Sequence, residues 1–291
     1  MRNITEATVT EATVASIKAE DPRLGVVMES LIHHLHAFIR EVELTEKEWM
    51  AGIRFLTATG QISDDQRQEF ILLSDTLGAS ILVDAINHRK SAGSTDSTVF
   101  GPFWVSGSPH LDNGAHIARG PEAEVGEPTV VHGVVKGKDG LPLTGATIDV
   151  WQASAEGLYD VQDPAQPEMN LRGLFHTDDD GRYWFVTVKP AAYPIPDDGP
   201  VGEMLRATGR HPMRPAHIHF MIDAPDHDRL ITHIFVEGDP YLESDAVLGV
   251  KDGLVTEFRV NESLEAGHRW GVTAPFTEVQ FDFTLEPAAA S

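Results

Sequence analysis

The segment Arg214-Pro-Ala-His217-Ile-His219-Phe220 sets two histidines at i and i+2. Alternate residues of a β-strand share a face, so both imidazoles can meet one metal ion while Ala216, Ile218 and Phe220 turn to a core. The same pattern also describes a solvated pair on a sheet face, so its weight depends on the other donors present. Cysteine is absent. That removes disulfides, thiolate metal sites, iron–sulfur clusters and Cys nucleophiles, and leaves His, carboxylate and Tyr as metal donors. The tyrosines are Tyr159, Tyr183, Tyr193 and Tyr241. Tyr159 closes the run that begins at Asp149, and Tyr193 sits in Lys189-Pro-Ala-Ala-Tyr193-Pro-Ile-Pro196, whose prolines leave the backbone few conformations. A phenolate is a hard anionic donor that suits ferric iron, and two phenolates with two imidazoles leave a trivalent ion a small residual charge. Spacing alone does not separate Tyr159 and Tyr193 from aromatics at a sheet edge. Other candidates read as structure. His33, His34 and His36 decorate the polar side of a helix, Asp178 to Asp180 before Gly181 form a hairpin turn, and Trp151, His176 and Trp184 pack.

Two kinds of element must position these groups. In the first hundred residues the apolar period is helical. Asp21-Pro22 supplies an N-cap and a first-turn proline for a helix whose stripe runs from Leu24 to Val42. Thr45 with Glu48 forms a capping box before a second helix through Ile53 and Leu56, and Ser63 with Gln66 precedes a third from Phe70 through Leu77 to Ile86. Past residue 95 short alternating runs take over: Thr129 to Val135, Thr147 to Trp151, Arg182 to Val188, His217 to Ile222, Leu230 to Val236 and Val279 to Leu285. Turn signals such as Asp139-Gly140 join them, which predicts a β-sandwich. The fold class is α+β, an N-terminal helical domain over residues 1–95 followed by a sandwich domain over 96–291, with a frayed tail from Glu286 to Ser291.

Composition sets the outer bounds. A chain of 291 residues is longer than one domain of about 150 residues needs. The composition is 41 % hydrophobic and 23 % charged, with 25 glycines and 18 prolines; it is that of a globular protein and excludes collagen-like, coiled-coil and disordered classes. Forty-five acidic residues against 22 basic give −23, a field that repels phosphate backbones and argues against nucleic acid as a partner. The N-terminal stretch has no apolar core or basic start of a targeting signal, and no run is apolar enough to span a membrane. A cytoplasmic protein without membrane insertion is expected.

These residues carry a resemblance. Asp149 to Tyr159, Asn170-Leu-Arg-Gly, Thr177-Asp-Asp-Asp-Gly-Arg-Tyr183, Gly209 to Phe220 and Asp239-Pro-Tyr-Leu together resemble the intradiol ring-cleavage dioxygenases, non-haem Fe(III) enzymes of catechol breakdown, over nearly the whole chain. The resemblance implies one ferric ion per chain held by Tyr159, Tyr193, His217 and His219, with Tyr193 the phenolate that leaves when substrate arrives. Arg214 matches the family's active-site arginine, whose permanent charge can stabilise negative charge developing on the ring. The reaction implied is cleavage of an aromatic 1,2-diol between its two hydroxylated carbons, with both atoms of O2 incorporated.

Within the family, Leu230-Ile-Thr-His233-Ile-Phe, Tyr241 to Lys251, Leu72-Leu-Ser-Asp75 and Thr98 to Phe103 are similar to the hydroxyquinol 1,2-dioxygenases. By that likeness Leu72, Asp75, Val99, Phe100, Gly101, Pro102 and Phe103 shape one side of the substrate pocket, and Ile195, Pro196, His233 and Val247 the other. Asp75 is placed to accept a hydrogen bond from an extra ring hydroxyl, against which plain catechol leaves it unpaired. The product expected from hydroxyquinol (benzene-1,2,4-triol) is 3-hydroxy-cis,cis-muconate, the enol form of maleylacetate. Pro194 after Tyr193, where the family often has Gly, and the bulky Phe100 bear on which ring substituents are accepted. The resemblance further implies a homodimer through the N-terminal helices, with an apolar channel able to hold phospholipid. The competing readings are a catechol or chlorocatechol 1,2-dioxygenase, a metal-free transthyretin-like binding sandwich, and an iron or zinc enzyme in which a carboxylate joins His217 and His219.

Overall fold

The chain becomes helical at Val9. The helix α1 (Val9–Val14) precedes α2 (Pro22–Glu41), whose start follows from its sequence: the Asp21 carboxylate accepts the Arg23 backbone N–H at 2.8 Å and Pro22 takes the first helical position. The capping box also forms. Ahead of α3 (Glu46–Ile62), the Thr45 N–H and hydroxyl donate to Glu48 at 2.9 and 2.7 Å, and the Glu48 N–H donates back to Thr45 Oγ1 at 3.3 Å. The computed structural model describes residues 3–64, 67–120, 123 and 126–288. These fall into two compact units, one ending at Gln61 and one beginning at Ile62. The Gln66 half of the third capping signal and the last three residues of the expected tail lie outside the described residues.

The third helix departs from its expected single run. It is two helices, α4 (Glu69–Thr76) and α5 (Ala79–Asn87), because Gly78 adopts the left-handed conformation (φ 75°) and ends one helix while opening the next. Glu69 at the start of α4 is fully buried; its carboxylate pairs with Arg67 at 2.9 Å and accepts the Val201 N–H at 3.1 Å.

Two five-stranded sheets follow. In the first, β1 (Pro128–Gly137) pairs antiparallel with β4 (Arg182–Val188) and, on its other edge, parallel with β11 (Phe276–Gln280) and then β12 (Phe283–Leu285), while β10 (Arg259–Asn261) flanks β11. The second has the order β3 (Arg172–His176), β2 (Thr147–Gln152), β7 (His217–Asp223), β8 (Leu230–Val236), β9 (Val255–Thr256). A two-residue ladder joins β5 (Tyr193–Pro194) to β6 (Met213–Arg214). Between the five-stranded sheets lies the core: Val131, Tyr183, Phe185, Val279 and Phe283 from one, Ile148, Val150, Ile218, Phe220 and Ile234 from the other. The helix α6 (Pro200–Ala207) lies between β5 and β6 in sequence, and α7 (Leu264–Trp270) lies between β10 and β11.

Three local expectations are corrected. The final strand is interrupted at Phe281 and Asp282, yet β11 and β12 keep the same register offset to β1, so the alternation of buried Val279, Phe283 and Leu285 survives. The Phe281 carbonyl instead accepts the Tyr183 hydroxyl at 2.8 Å. The turn at Asp178 to Gly181 is no hairpin, because β3 and β4 belong to different sheets; the Asp178 side chain closes it by accepting the Asp180 and Arg182 N–H groups. Glu286 to Ala288 are tied down rather than frayed. The Glu286 side chain accepts the Ser91 hydroxyl at 2.6 Å and its carbonyl the Asp228 N–H at 2.9 Å, while Ala288 donates to Asp226 at 2.9 Å. No helix among the described residues is long and apolar enough to cross a membrane.

Candidate active site

The second sheet has two buried faces, and that decides where the chemistry sits. Ile218, Phe220 and Ile222 of β7 point into the sandwich core, so His217 and His219 point to the opposite face. Register extends this into a row across four strands: Arg172 opposite Trp151, Trp151 opposite His219, His219 opposite His233. The Trp151 indole stacks on His219 at 4.7 Å and 15°, and His233 packs edge-on against His219 at 4.0 Å and beside His217 at 4.7 Å.

Both tyrosines arrive over this face. Tyr159 follows β2 on a turn held by the Asp160–Arg172 ion pair (2.6 Å), whose arginine is 1 % exposed; Phe103 stacks on its ring at 4.5 Å. Tyr193 is placed by β5, directly across from Arg214 of β6. Four donor atoms therefore meet. Tyr159 Oη lies 2.9 Å from His219 Nε2 and 3.2 Å from Tyr193 Oη; His217 Nε2 lies 3.2 Å from His219 Nε2 and 3.4 Å from Tyr193 Oη. All four residues are at most 3 % exposed.

The electrostatics fix protonation states. His217 Nδ1–H donates to the Pro215 carbonyl at 2.7 Å, which leaves Nε2 as the lone-pair nitrogen facing the cluster. Burial first, then the charge of Arg214, lowers the His217 pKa to about 3; burial and the neighbouring His217 lower His219 as well, so both are neutral ligand-type imidazoles. Burial and the adjacent Tyr193 raise the Tyr159 phenol well above its ordinary pKa, a state that a bound cation would reverse. His217, His219 and His233 form a buried cluster compatible with a metal ion, with ring nitrogens within 4.8 Å of one another. Among the described residues no carboxylate joins it, so the expected alternative of two histidines and a carboxylate has no third ligand.

Beside this cluster lies a narrow cavity. Leu72 and Asp75 from α4 line it, as do Val99, Gly101, Pro102 and Phe103; Ile195, Pro196 and Val247 close the far side, next to Tyr193 and Arg214. Phe100 is turned away, lining a neighbouring cavity that shares Asp75, Val99 and Gly101, with its ring against Trp104 and Trp151. His233 lies below, in the sheet. Burial raises the Asp75 pKa against a hydrogen bond from Ser80 and the charge of Arg214. Sequence reasoning left out two groups that contact the site. Trp151, read there as packing, forms the stacked wall of His219, and Asp245 holds Arg214 through a paired contact at 3.1 and 3.3 Å. The only sequence signal for Asp245 is its place within the Tyr241 to Lys251 stretch.

Comparison with known proteins gives the family. A family model described as Dioxygenase matches residues 99–287, and one described as Catechol dioxygenase N terminus matches residues 21–95. The chain belongs to this family of intradiol ring-cleavage dioxygenases. It is 53 % identical to a 6-chlorohydroxyquinol 1,2-dioxygenase of Cupriavidus pinatubonensis, over 99 % of each chain, and 50 % identical to a hydroxyquinol 1,2-dioxygenase of a Rhizobium species, over 94 % of this chain and 93 % of the relative. Among solved structures it is similar to the hydroxyquinol 1,2-dioxygenase of Pseudomonas putida, at 48 % identity and a TM-score of 0.91 over 97 % of this chain and 99 % of the other.

Proposed function

We propose that the chain cleaves hydroxyquinol at a ferric site formed by Tyr159, Tyr193, His217 and His219. The four-atom cage carries this reading. Donors bonded to one ion at about 2.0–2.1 Å stand about 2.9 Å apart at a right angle and about 3.3 Å apart at a tetrahedral angle, and the cage spacings run from 2.9 to 3.4 Å. His233, in a cluster that spreads to 4.8 Å, stands behind the ligands within the sheet and does not line the pocket. Two phenols and two imidazoles form a hard donor set suited to a trivalent ion. A ferric ion held there would supply Lewis acidity, binding both oxygens of the deprotonated diol and making its ring reactive toward O2.

The chain's own groups do the rest. Tyr193 Oη would hold the ion in the resting site and, as a phenolate, would accept one hydroxyl proton of the entering diol. Arg214 directs Nη1 toward the cluster, 3.1 Å from His217 Nε2, where it stabilises negative charge developing on the ring. Leu72, Pro102, Ile195 and Val247 exclude water, and Asp75 accepts the hydrogen bond of the third hydroxyl. Both oxygen atoms are retained in 3-hydroxy-cis,cis-muconate. The two family matches meet near residue 96, whereas the compact units divide at Ile62, so the pocket residues Leu72 and Asp75 belong to the same unit as the donor cluster. The apolar face of α2 serves homodimerisation, and organic extraction with mass spectrometry tests for phospholipid beside it.

The test is optical and kinetic. Purified iron-loaded protein is expected to be red to burgundy from phenolate-to-iron charge transfer, and Tyr159→Phe to lose most of that band and of its iron. Wild-type colour in the variant would overturn the ligand set. The kcat/KM for hydroxyquinol is expected to exceed those for catechol and the chlorocatechols, and a preference for catechol would overturn the substrate.

A further inference from the structure

Arg214 is 3 % exposed and its guanidinium is divided between two tasks. Nε and Nη2 donate to the two oxygens of Asp245, at 3.1 and 3.3 Å, and only Nη1 faces the donor cluster. Asp245 is itself immobilised: Oδ1 also accepts the Val247 N–H at 3.3 Å, and Oδ2 the Gly249 N–H at 2.9 Å. Its four acceptor positions are thus filled by a fork of arginine nitrogens and a fork of backbone amides. Further bonds tie that loop to the site. The Ala246 N–H donates to the Met213 carbonyl at 3.1 Å, the residue before Arg214, and the Thr98 hydroxyl donates to the Gly249 carbonyl at 2.8 Å, beside the pocket-lining Val99.

We propose that Asp245 is a positioning residue for Arg214, and that the loop from Asp245 to Gly249 couples the aim of Nη1 to the pocket wall formed by Val247. A guanidinium left to rotate in a buried site can turn any of its five N–H groups toward the reacting ring, whereas a bidentate carboxylate selects one edge. Pairing also explains how a full positive charge persists there: burial works against both partners, yet each holds the other charged, Asp245 below and Arg214 above its ordinary pKa. Asp245 touches no donor atom of the cage, so its contribution to the reaction passes through Arg214. The inference rests on the role given to Arg214 above.

A double-mutant cycle on the iron-loaded enzyme tests it, with hydroxyquinol and O2 as substrates. Asp245→Asn is expected to lower kcat on the order of 10- to 100-fold, Arg214→Gln on the order of 100- to 1,000-fold, and the double variant to be no slower than Arg214→Gln. Anaerobic binding of the diol, read from the shift of the visible band, is expected to stay within about threefold of wild type in Asp245→Asn. Asp245→Glu retains the charge and displaces the fork by one methylene, so it is expected to lower kcat also, and it serves where the asparagine variant fails to fold. Losses that multiply in the double variant, or full activity in Asp245→Glu, overturn the positioning role while leaving that of Arg214 intact. An unchanged kcat in Arg214→Gln overturns both.

Discussion

Asp75 is a carboxylate in a pocket otherwise walled by Leu72, Pro102, Ile195 and Val247, and it is 5 % exposed. A buried acceptor of this kind is stable only with partners, and Ser80 and the field of Arg214 supply part of what it needs. In the proposed function a third ring hydroxyl would supply the rest; catechol, which lacks it, would leave the carboxyl group short of one bond. Hydrogen bonds to charged groups contribute about 1.5–3 kcal/mol. Asp75→Ala is therefore expected to cut the hydroxyquinol-to-catechol ratio of kcat/KM on the order of 10- to 100-fold, measured by parallel steady-state assays. An equal loss on both substrates would mark Asp75 as structural. The same reasoning separates it from Arg214, whose loss acts on the charge shared by all diols and lowers every rate.

At the level of elements, the site is a property of one sheet face. The i, i+2 histidines of β7 were legible because strand alternation is local, and so were the starts of α2 and α3, each set by a side chain within three residues of the backbone group that it caps. Pairing between distant segments is what local pattern cannot convey. The turn after Asp178 looks like a hairpin until β3 and β4 are seen in different sheets, and the Arg214–Asp245 contact spans 31 positions. Gly78 divides the third helix although the apolar period runs through it. Gly133 illustrates a further kind of hidden constraint: a Cβ there would stand 1.7 Å from the Phe281 carbonyl oxygen, where β1 lies closest to the break between β11 and β12. Gly133→Ala must push that backbone away, at a cost on the order of 3 kcal/mol. The melting temperature is expected to fall by about 10 °C, and a change within about 2 °C would show that the break absorbs a methyl group freely.

For the whole molecule, charge and apolar surface point to different conclusions. The net −23 is a solubility term; fields from exposed charges fade over about 8 Å in physiological salt, so in the proposed function a substrate that becomes anionic would depend on the buried Arg214 and the proposed ion, not on the global sign. The apolar surface is more specific. Leu24, Val27, Leu31, Leu35 and Phe38, at three- and four-residue spacing on α2, are each 45 % to 53 % exposed. Contiguous apolar stripes of this length are rare on monomers. A self-complementary stripe pairs most simply about a two-fold axis, burying the same residues on both copies. Sedimentation velocity is expected to give a dimer of the 31.8 kDa chain. Leu31→Glu combined with Leu35→Glu puts two charges into the seam of each copy and is expected to weaken association on the order of 100-fold or more. Because the donor cluster lies wholly within the unit that begins at Ile62, the dissociated variant is expected to keep its visible band. A wild-type chain that sediments as a monomer would leave the stripe without this explanation.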